Sequence, residues 1–190
     1  DWFYNWCEIG SIYGAPSDCL WAGGRVEESG TDPQKVLTLT RQYGISARLT
    51  FSNALLREEH LSDHRCNALS RLFHKPGNGI IITSDLLLSY MTKEYPNFYY
   101  VSSTTKVLTE FEALKKELDR KEFLHVVPDF RLNKAFSRLA ALSQTEKNKV
   151  EFLCNECCWI GCKDRKRCYE AVSFRNLGED AHPGEDYSAF

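Results

Sequence analysis

Five of the eight cysteines in this 190-residue chain lie within one fifteen-residue segment, 154–168. Thiolates bind zinc and iron–sulfur clusters, and they are also strong nucleophiles. Cys158, Cys162 and Cys168 are the candidate ligands of a metal or cluster that takes its fourth ligand from elsewhere. Cys154 is expected to pack as a small hydrophobe. The segment lacks the two Cys-x2-Cys pairs of a zinc ribbon, so a reactive thiol and incidental buried thiols stay open as alternatives.

Two arginines are candidates for holding an anionic group of a substrate, because a guanidinium binds carboxylates and phosphates through two parallel hydrogen bonds. Arg165 belongs to the basic segment 163–167, which overlaps the cysteine run. Arg25 follows Gly23 and Gly24, which predict a turn. A solvated helix face and a solvated turn are the respective alternatives.

Polar side chains follow the strands that the sequence predicts. Glu156 and Asp129 are the first candidates for a general base, with Asn155 and Asn53 beside them in a catalytic group. Ser102 and Ser103 are candidates for substrate binding. Helix capping is the alternative, because Ser, Thr, Asn and Asp are the residues that helix N-termini prefer.

The elements that must position these side chains alternate between strand and helix. Short runs of apolar, β-branched and aromatic residues are typical of strands buried on both faces. They predict strands at 8–13, 47–51, 79–83, 97–101, 123–127 and 149–153. The 3.6-residue periodicity and capping residues predict helices at about 33–43, 63–73, 85–95, 109–121 and 133–143.

This alternation predicts the α/β class with a parallel sheet. About six βα units in one domain, 1–177, indicate a TIM-type (β/α) barrel that is incomplete, because a full barrel takes about 250 residues. An open doubly wound sheet is the alternative, although no glycine-rich dinucleotide motif follows any predicted strand. Residues 178–190 are expected to be an acidic tail or the start of a missing segment. Met91 is the only methionine, which favours a fragment of a longer protein.

Composition excludes several classes. The 43% hydrophobic and 26% charged residues are typical of a globular protein, and a net charge of −2 gives no general attraction to nucleic acid or anionic lipid. No apolar run approaches the roughly 20 residues that span a bilayer. Disulfides in a secreted protein are one interpretation of eight cysteines, but disulfide-rich domains are shorter and loop-rich, so a reducing cytoplasm is the expected location.

At four places the chain resembles bacterial proteins related to the collagenase-like peptidase family, the U32 peptidases. The matching segments are 23–25, 49–53, 102–105 and 155–169, and the resemblance runs from about residue 12 to residue 173. It implies a TIM-type barrel. It also implies iron–sulfur chemistry, because several members of the wider family hydroxylate RNA bases or quinone precursors without oxygen.

By this resemblance Cys158 and Cys162 match the two cysteines of the family motif, and Asn155, Glu156 and Arg165 accompany them. Cys168 stands where relatives carry histidine, which fits a ligand position because both side chains bind metals. The four-cysteine spacing of the wider family is not reproduced.

The resulting prediction is an enzyme of the U32 type that contains an iron–sulfur cluster or zinc. It would carry out hydroxylation or other redox chemistry on an anionic substrate, either a small molecule or one derived from nucleic acid. Peptide hydrolysis is one alternative, although the sequence shows no catalytic set for it. A non-catalytic barrel with a structural zinc site is the other.

Overall fold

The computed structural model describes residues 4, 6–16, 18–24, 32–156 and 158–178. The predicted tail beyond Gly178, the candidate Arg25 and one cysteine of the run, Cys157, lie outside these described residues. The described chain forms five strands and seven α-helices. The predicted α/β class is confirmed.

The strands form a single sheet in which every hydrogen-bonded neighbour is parallel and the strand order follows the chain. The sixth predicted strand is reduced to one parallel bridge, between Val126 and Val150. This sequential order lacks the reversal that defines the switch point of a doubly wound sheet. The strands are β1 (Ser11–Gly14), β2 (Ser46–Phe51), β3 (Gly79–Ile82), β4 (Tyr99–Ser102) and β5 (Phe123–Val126).

Four helices agree with the sequence pattern. Asp32, Asp63 and Ser84 cap the first three, each accepting a hydrogen bond from a backbone N–H of the first turn. The fourth helix begins two residues into the predicted segment, and the predicted cap at Thr109 is wrong because Glu110 holds the N-cap position. These helices are α1 (Pro33–Tyr43), α2 (His64–Phe73), α3 (Asp85–Glu94) and α4 (Phe111–Leu118).

The chain departs from the prediction after β5. The predicted helix at 133–143 is replaced by a 3-10 helix, Phe130–Lys134, and the short α5 (Phe136–Ala140). A capping box between Ser143 and Glu146 then opens α6 (Gln144–Lys149), which ends where a strand was expected to begin. The last helix, α7 (Arg165–Leu177), was not predicted. None of the described helices has the length and apolar character that crossing a membrane requires.

The sheet is strongly curved. Four strand-to-strand steps separate β2 from the chain at Glu151, which would be about 19 Å across a flat sheet. Nonetheless Nη1 of Arg48 on β2 lies 2.7 Å from each carboxylate oxygen of Glu151. An arginine and a glutamate side chain cannot together bridge the flat distance, so the sheet curls and both side chains lie on its concave face.

The apolar core lies on the convex side, between the sheet and the helices. Leu49 and Phe51 of β2 are buried there with Ile80 and Ile82 of β3. Alternate residues of a strand point to opposite faces, so the residues between them face the concave side. The core therefore fixes which side chains line the concavity.

Candidate functional site

The concave face forms a pocket of about 490 Å³ that extends to the carboxyl ends of the strands. Three alternate residues of β2 and of the chain just beyond it line the pocket, namely Arg48, Thr50 and Ser52. The hydroxyl oxygens of Thr50 and Ser52 are buried and have no hydrogen-bond partner within the described part of the chain. Such hydroxyls are suited to bind polar groups of a ligand.

Other pocket residues come from chain segments that follow the later strands. Ser103, Thr104 and Thr105 follow β4, whereas Asn155 and Glu156 follow the sixth strand position. A smaller pocket of about 250 Å³ lies beside β1 and α1, and its lining is mostly apolar. One of the two candidate general bases, Glu156, therefore borders the larger pocket.

The floor of the larger pocket is a polar cluster around Arg48. Its Nε donates to Tyr99 Oη at 2.8 Å, and Tyr99 Oη lies 2.6 Å from Ser46 Oγ. Burial opposes protonation, but hydrogen bonds to Tyr99 and Glu151 raise the pKa of Arg48. Nearby, burial lowers the pKa of His125. The floor thus carries a permanent cation paired with Glu151.

A second charge cluster surrounds Arg165, the first residue of α7, whose side chain is only 1% exposed. Its Nε lies 3.1 Å from Asp129 Oδ2, and its Nη2 lies 2.6 Å from Glu156 Oε2. Both contacts are ion pairs. One guanidinium therefore holds both of the carboxylates that the sequence proposed as general bases.

Aromatic rings enclose this guanidinium. The Arg165 Cζ atom lies 4.9 Å from the ring centre of Phe130 and 5.1 Å from that of Tyr169. Burial disfavours its charged form, yet the contacts with Glu156, Tyr169 and Cys158 raise the pKa of Arg165 well above its usual value. Arg165 is therefore charged at neutral pH.

The two carboxylates around Arg165 differ in what else they contact. Asp129 is fully buried and accepts hydrogen bonds from Arg131, both from Nε at 2.6 Å and from the backbone N–H at 3.0 Å. Glu156 lines the pocket, and its Oε1 accepts a hydrogen bond from the backbone N–H of Cys158 at 3.0 Å. Of the two predicted bases, Glu156 is the one that borders the pocket.

Asn53 lies at the end of β2 but holds elements together. Its Nδ2 donates to the carbonyls of Leu20 and Ser173, at 2.9 and 3.1 Å, and its Oδ1 accepts from the backbone N–H of Leu55 at 2.9 Å. These bonds join the loop after β1 to α7. Asn155, in contrast, is exposed and lines the pocket.

The predicted pair Ser102 and Ser103 is divided between the two faces of the sheet. Ser103 lines the pocket, and its Oγ lies 2.9 Å from Thr105 Oγ1. Ser102 Oγ donates to Glu117 Oε1 on α4 at 2.6 Å, on the helix side. Consecutive strand residues alternate between faces, so only one of the two can face the pocket.

The described cysteines of the run are spread over the loop before α7 and its first turn. Cys158 and Cys162 are half-buried in the loop, and Cys168 is half-buried on α7. Nη1 of Arg131 donates to the carbonyl of Cys162 at 3.1 Å. No group of three or more His, Cys, Asp or Glu side chains within the described ranges is arranged to hold a metal ion. The described residues alone do not fit a metal or cluster site.

The loop after β4 contains an unusual backbone conformation. Val107 has a φ of 55°, in the left-handed region that β-branched residues avoid. Its N–H donates to Thr104 O at 3.0 Å, which closes the 3-10 turn that presents Thr104 and Thr105 to the pocket. Strain of this kind often accompanies functional loops.

On the opposite side, the loop after β1 approaches the pocket closely. A Cβ atom at Gly23 would lie 2.3 Å from the carbonyl oxygen of Ser52, and Gly24 lines the pocket. The predicted Gly-Gly turn therefore serves as a close backbone contact.

Sequence reasoning missed the polar face of β2. Arg48, Thr50 and Ser52 alternate with Ala47, Leu49 and Phe51, which is the period-two pattern of a strand with one polar face. The interpretation of β2 as a near-continuous apolar strand concealed this signal. Glu151 and Arg131 had no comparable signal, because their partners are distant in sequence or belong to an unpredicted turn.

Comparison with known proteins gives one informative match. No family model matches the chain, and no curated protein matches it. A solved structure, that of the U32 peptidase Mk0906, superposes with a TM-score of 0.63 over 98% of this chain and 88% of that chain. The chain has a U32-peptidase-like fold. Sequence identity over the match is 12%, so the likeness shows the fold alone.

The resemblance that the sequence motifs indicated is confirmed at the level of the fold. In this U32-like fold the pocket occupies the concave face of a parallel sheet. Its polar groups come from segments that follow several different strands.

Proposed function

We propose that the protein is an enzyme related to the U32 peptidases that binds a small polar, peptide-like substrate in the concave pocket. Its sheet would be part of a (β/α) barrel, and Glu156 would serve as the acid–base group. The observation that carries this proposal is Glu156 at the pocket wall, ion-paired to the buried Arg165.

Three features support a partial barrel with its site at this edge. The strand order is sequential and parallel, as in a barrel. The Arg48–Glu151 contact requires strong curvature. In barrel enzymes the active site lies at the carboxyl ends of the strands, where Ser103 and Glu156 lie in this chain.

The arrangement gives Glu156 a defined orientation. Its Oε2 pairs with Arg165, and its Oε1 accepts from the Cys158 N–H, so the carboxylate is held against the pocket. Thr50 Oγ1 and Ser52 Oγ are available to bind a substrate carbonyl or amide. In hydrolysis, Glu156 would accept a proton from the attacking water while Arg165 keeps the carboxylate in place.

The test is turnover of a mixed peptide library by the wild-type protein and by Glu156→Gln. A general base contributes about 10²- to 10⁴-fold to a rate, so the variant should lose at least 100-fold in kcat while its circular dichroism is unchanged. Glu112→Gln changes an exposed glutamate on α4 and is the matched control. Equal turnover by all three proteins, or none by the wild type, would contradict the proposal.

The iron–sulfur or zinc site stays a prediction, as do the redox substrate and the cytoplasmic location. Its support is the cysteine run itself, one member of which, Cys157, lies outside the described residues. Iron, sulfide and zinc analysis after anaerobic purification tests it directly. A Cys158→Ala, Cys162→Ala double variant should lose any bound metal, and a metal-free wild-type protein would end this alternative.

A further inference from the structure

Two cysteines outside the run lie in direct contact. Cys19 Sγ and Cys66 Sγ are 3.1 Å apart, although 47 positions separate them in the sequence. Both side chains are fully buried. Their surroundings are mostly apolar and include Trp21 and Leu69 of the core.

Both cysteines lie on backbone segments that hydrogen bonds hold in place. Cys66 lies in the first turn of α2, where its N–H donates to Asp63 Oδ1 at 2.6 Å. Cys19 lies in the loop after β1, which is fixed by the hydrogen bond from Asn53 N–H to Trp21 O at 3.0 Å. Trp21 Nε1 also donates to His60 O at 2.8 Å, and the Trp21 backbone N–H points at Cys66 Sγ at 3.4 Å.

We propose that Cys19 and Cys66 form a disulfide bond when the protein meets a small disulfide oxidant such as oxidised glutathione. A disulfide is about 2.05 Å long, so the sulfurs must approach by about 1 Å from their present contact. Rotation of the two side chains supplies a movement of this size, because both elements are already in place.

The disulfide forms by two successive thiol–disulfide exchange reactions. One cysteine loses its proton and attacks a sulfur of oxidised glutathione, which forms a mixed disulfide and releases one glutathione thiol. The second cysteine attacks the protein-bound sulfur of that mixed disulfide and releases the second glutathione thiol. The protein loses two electrons and two protons, and both are recovered in the two glutathione thiols.

Reaction in the closed protein is slow. The hydrogen bond with Cys19 and burial raise the pKa of the Cys66 thiol far above its usual value, so little thiolate forms. Attack therefore requires opening of the loop around residues 18–24, as local unfolding allows. The exposed Cys7 should react with oxidant before this pair does.

The bond would affect the pocket because the loop after β1 forms part of its wall through Gly24. Cross-linking this loop to α2 closes a long segment of chain and restricts the unfolded state. The oxidised protein should therefore resist opening of the wall and unfold at a higher temperature than the reduced protein.

The experiment uses the wild-type protein in buffers of graded ratio of reduced to oxidised glutathione. Free thiols are alkylated under denaturing conditions, and non-reduced peptides are mapped by mass spectrometry. We expect a Cys19–Cys66 linked peptide that is lighter by two hydrogen atoms than the sum of the two reduced peptides, and a rise in Tm of roughly 5 to 10 °C. The matched variants are Cys66→Ala, which should lose the rise in Tm, and Cys7→Ala, which should keep it.

The peptide map decides the outcome even where Cys66→Ala folds poorly. Recovery of Cys19 and Cys66 as alkylated thiols at every glutathione ratio would overturn the proposal, as would glutathione bound stably to Cys19 alone. The measurement requires no substrate, so its result is independent of the proposed hydrolase activity.

Discussion

At the scale of single residues, the site depends on the buried Arg165, whose two carboxylate partners lie in different surroundings. Arg165 forms ion pairs with both Asp129 and Glu156, but only Glu156 borders the pocket. Asp129 is engaged by the side chain and the backbone of Arg131 as well. It is therefore a positioning group that holds Arg165 and the 3-10 turn, and Glu156 is the group that a ligand can reach.

Replacing Arg165 by methionine should destabilise the fold by about 3 to 5 kcal/mol, because Glu156 would lose its cation and Asp129 would keep only that of Arg131. Arg165→Lys should cost less but still be measurable, since an ammonium group cannot reach both partners in the same geometry. Urea unfolding measures the free energy. Lys166→Met, at the exposed neighbouring position, is the control, and a similar loss in both methionine variants would contradict this role.

Sequence reasoning identified Glu156 and Arg165 because charged residues beside a dense cysteine run are conspicuous. It could not separate Ser102 from Ser103, because the face that each residue occupies depends on where β4 begins and ends. The pairing of Arg48 with Glu151 was also beyond it, since 103 positions separate the two residues.

At the scale of elements, the predicted strands and the first helices formed where local patterns agreed with tertiary packing. α7 escaped prediction because its buried face includes Arg165 and Ser173, which interrupt the apolar periodicity. The sixth strand shrank to one bridge because the capping box of Ser143 and Glu146 extends a helix up to Lys149. Local capping chemistry prevailed over a short apolar run.

The loop after β4 offers a test of stored strain. Val107→Asn should raise the free energy of unfolding by about 1 kcal/mol, because asparagine tolerates the left-handed conformation better than valine. Val36→Asn places the same change on α1, in ordinary helical backbone, and should destabilise. Chemical denaturation of both variants provides the comparison. Equal destabilisation would show that the positive φ at Val107 carries no energetic cost.

At the scale of the whole molecule, curvature of the sheet brings distant strands together. The consecutive parallel order was predictable from the spacing of strands and helices. The degree of curling was not, because it results from side chains that meet only in the folded chain. Arg48, Tyr99 and Glu151 join β2, β4 and the sixth strand position across the concave face.

A double-mutant cycle on Arg48→Met and Glu151→Gln measures how much the contact between these two side chains contributes to the free energy of unfolding. Each single variant should destabilise the protein, and the coupling free energy should be about 1 to 2 kcal/mol because the two side chains contact directly. Arg65→Met with Asp18→Asn removes an exposed ion pair and should give a coupling below about 1 kcal/mol. Additive effects of the two substitutions would mean that the Arg48–Glu151 contact does not stabilise the curved sheet.

The close contact at Gly23 has a consequence for how this protein can be altered. A methyl group there would overlap the carbonyl of Ser52, so any larger residue at position 23 would displace the backbone at the end of β2 or the loop after β1. Engineering aimed at enlarging the cavity should leave Gly23 unchanged and vary Ser103 and Thr104, which line the cavity from the loop after β4.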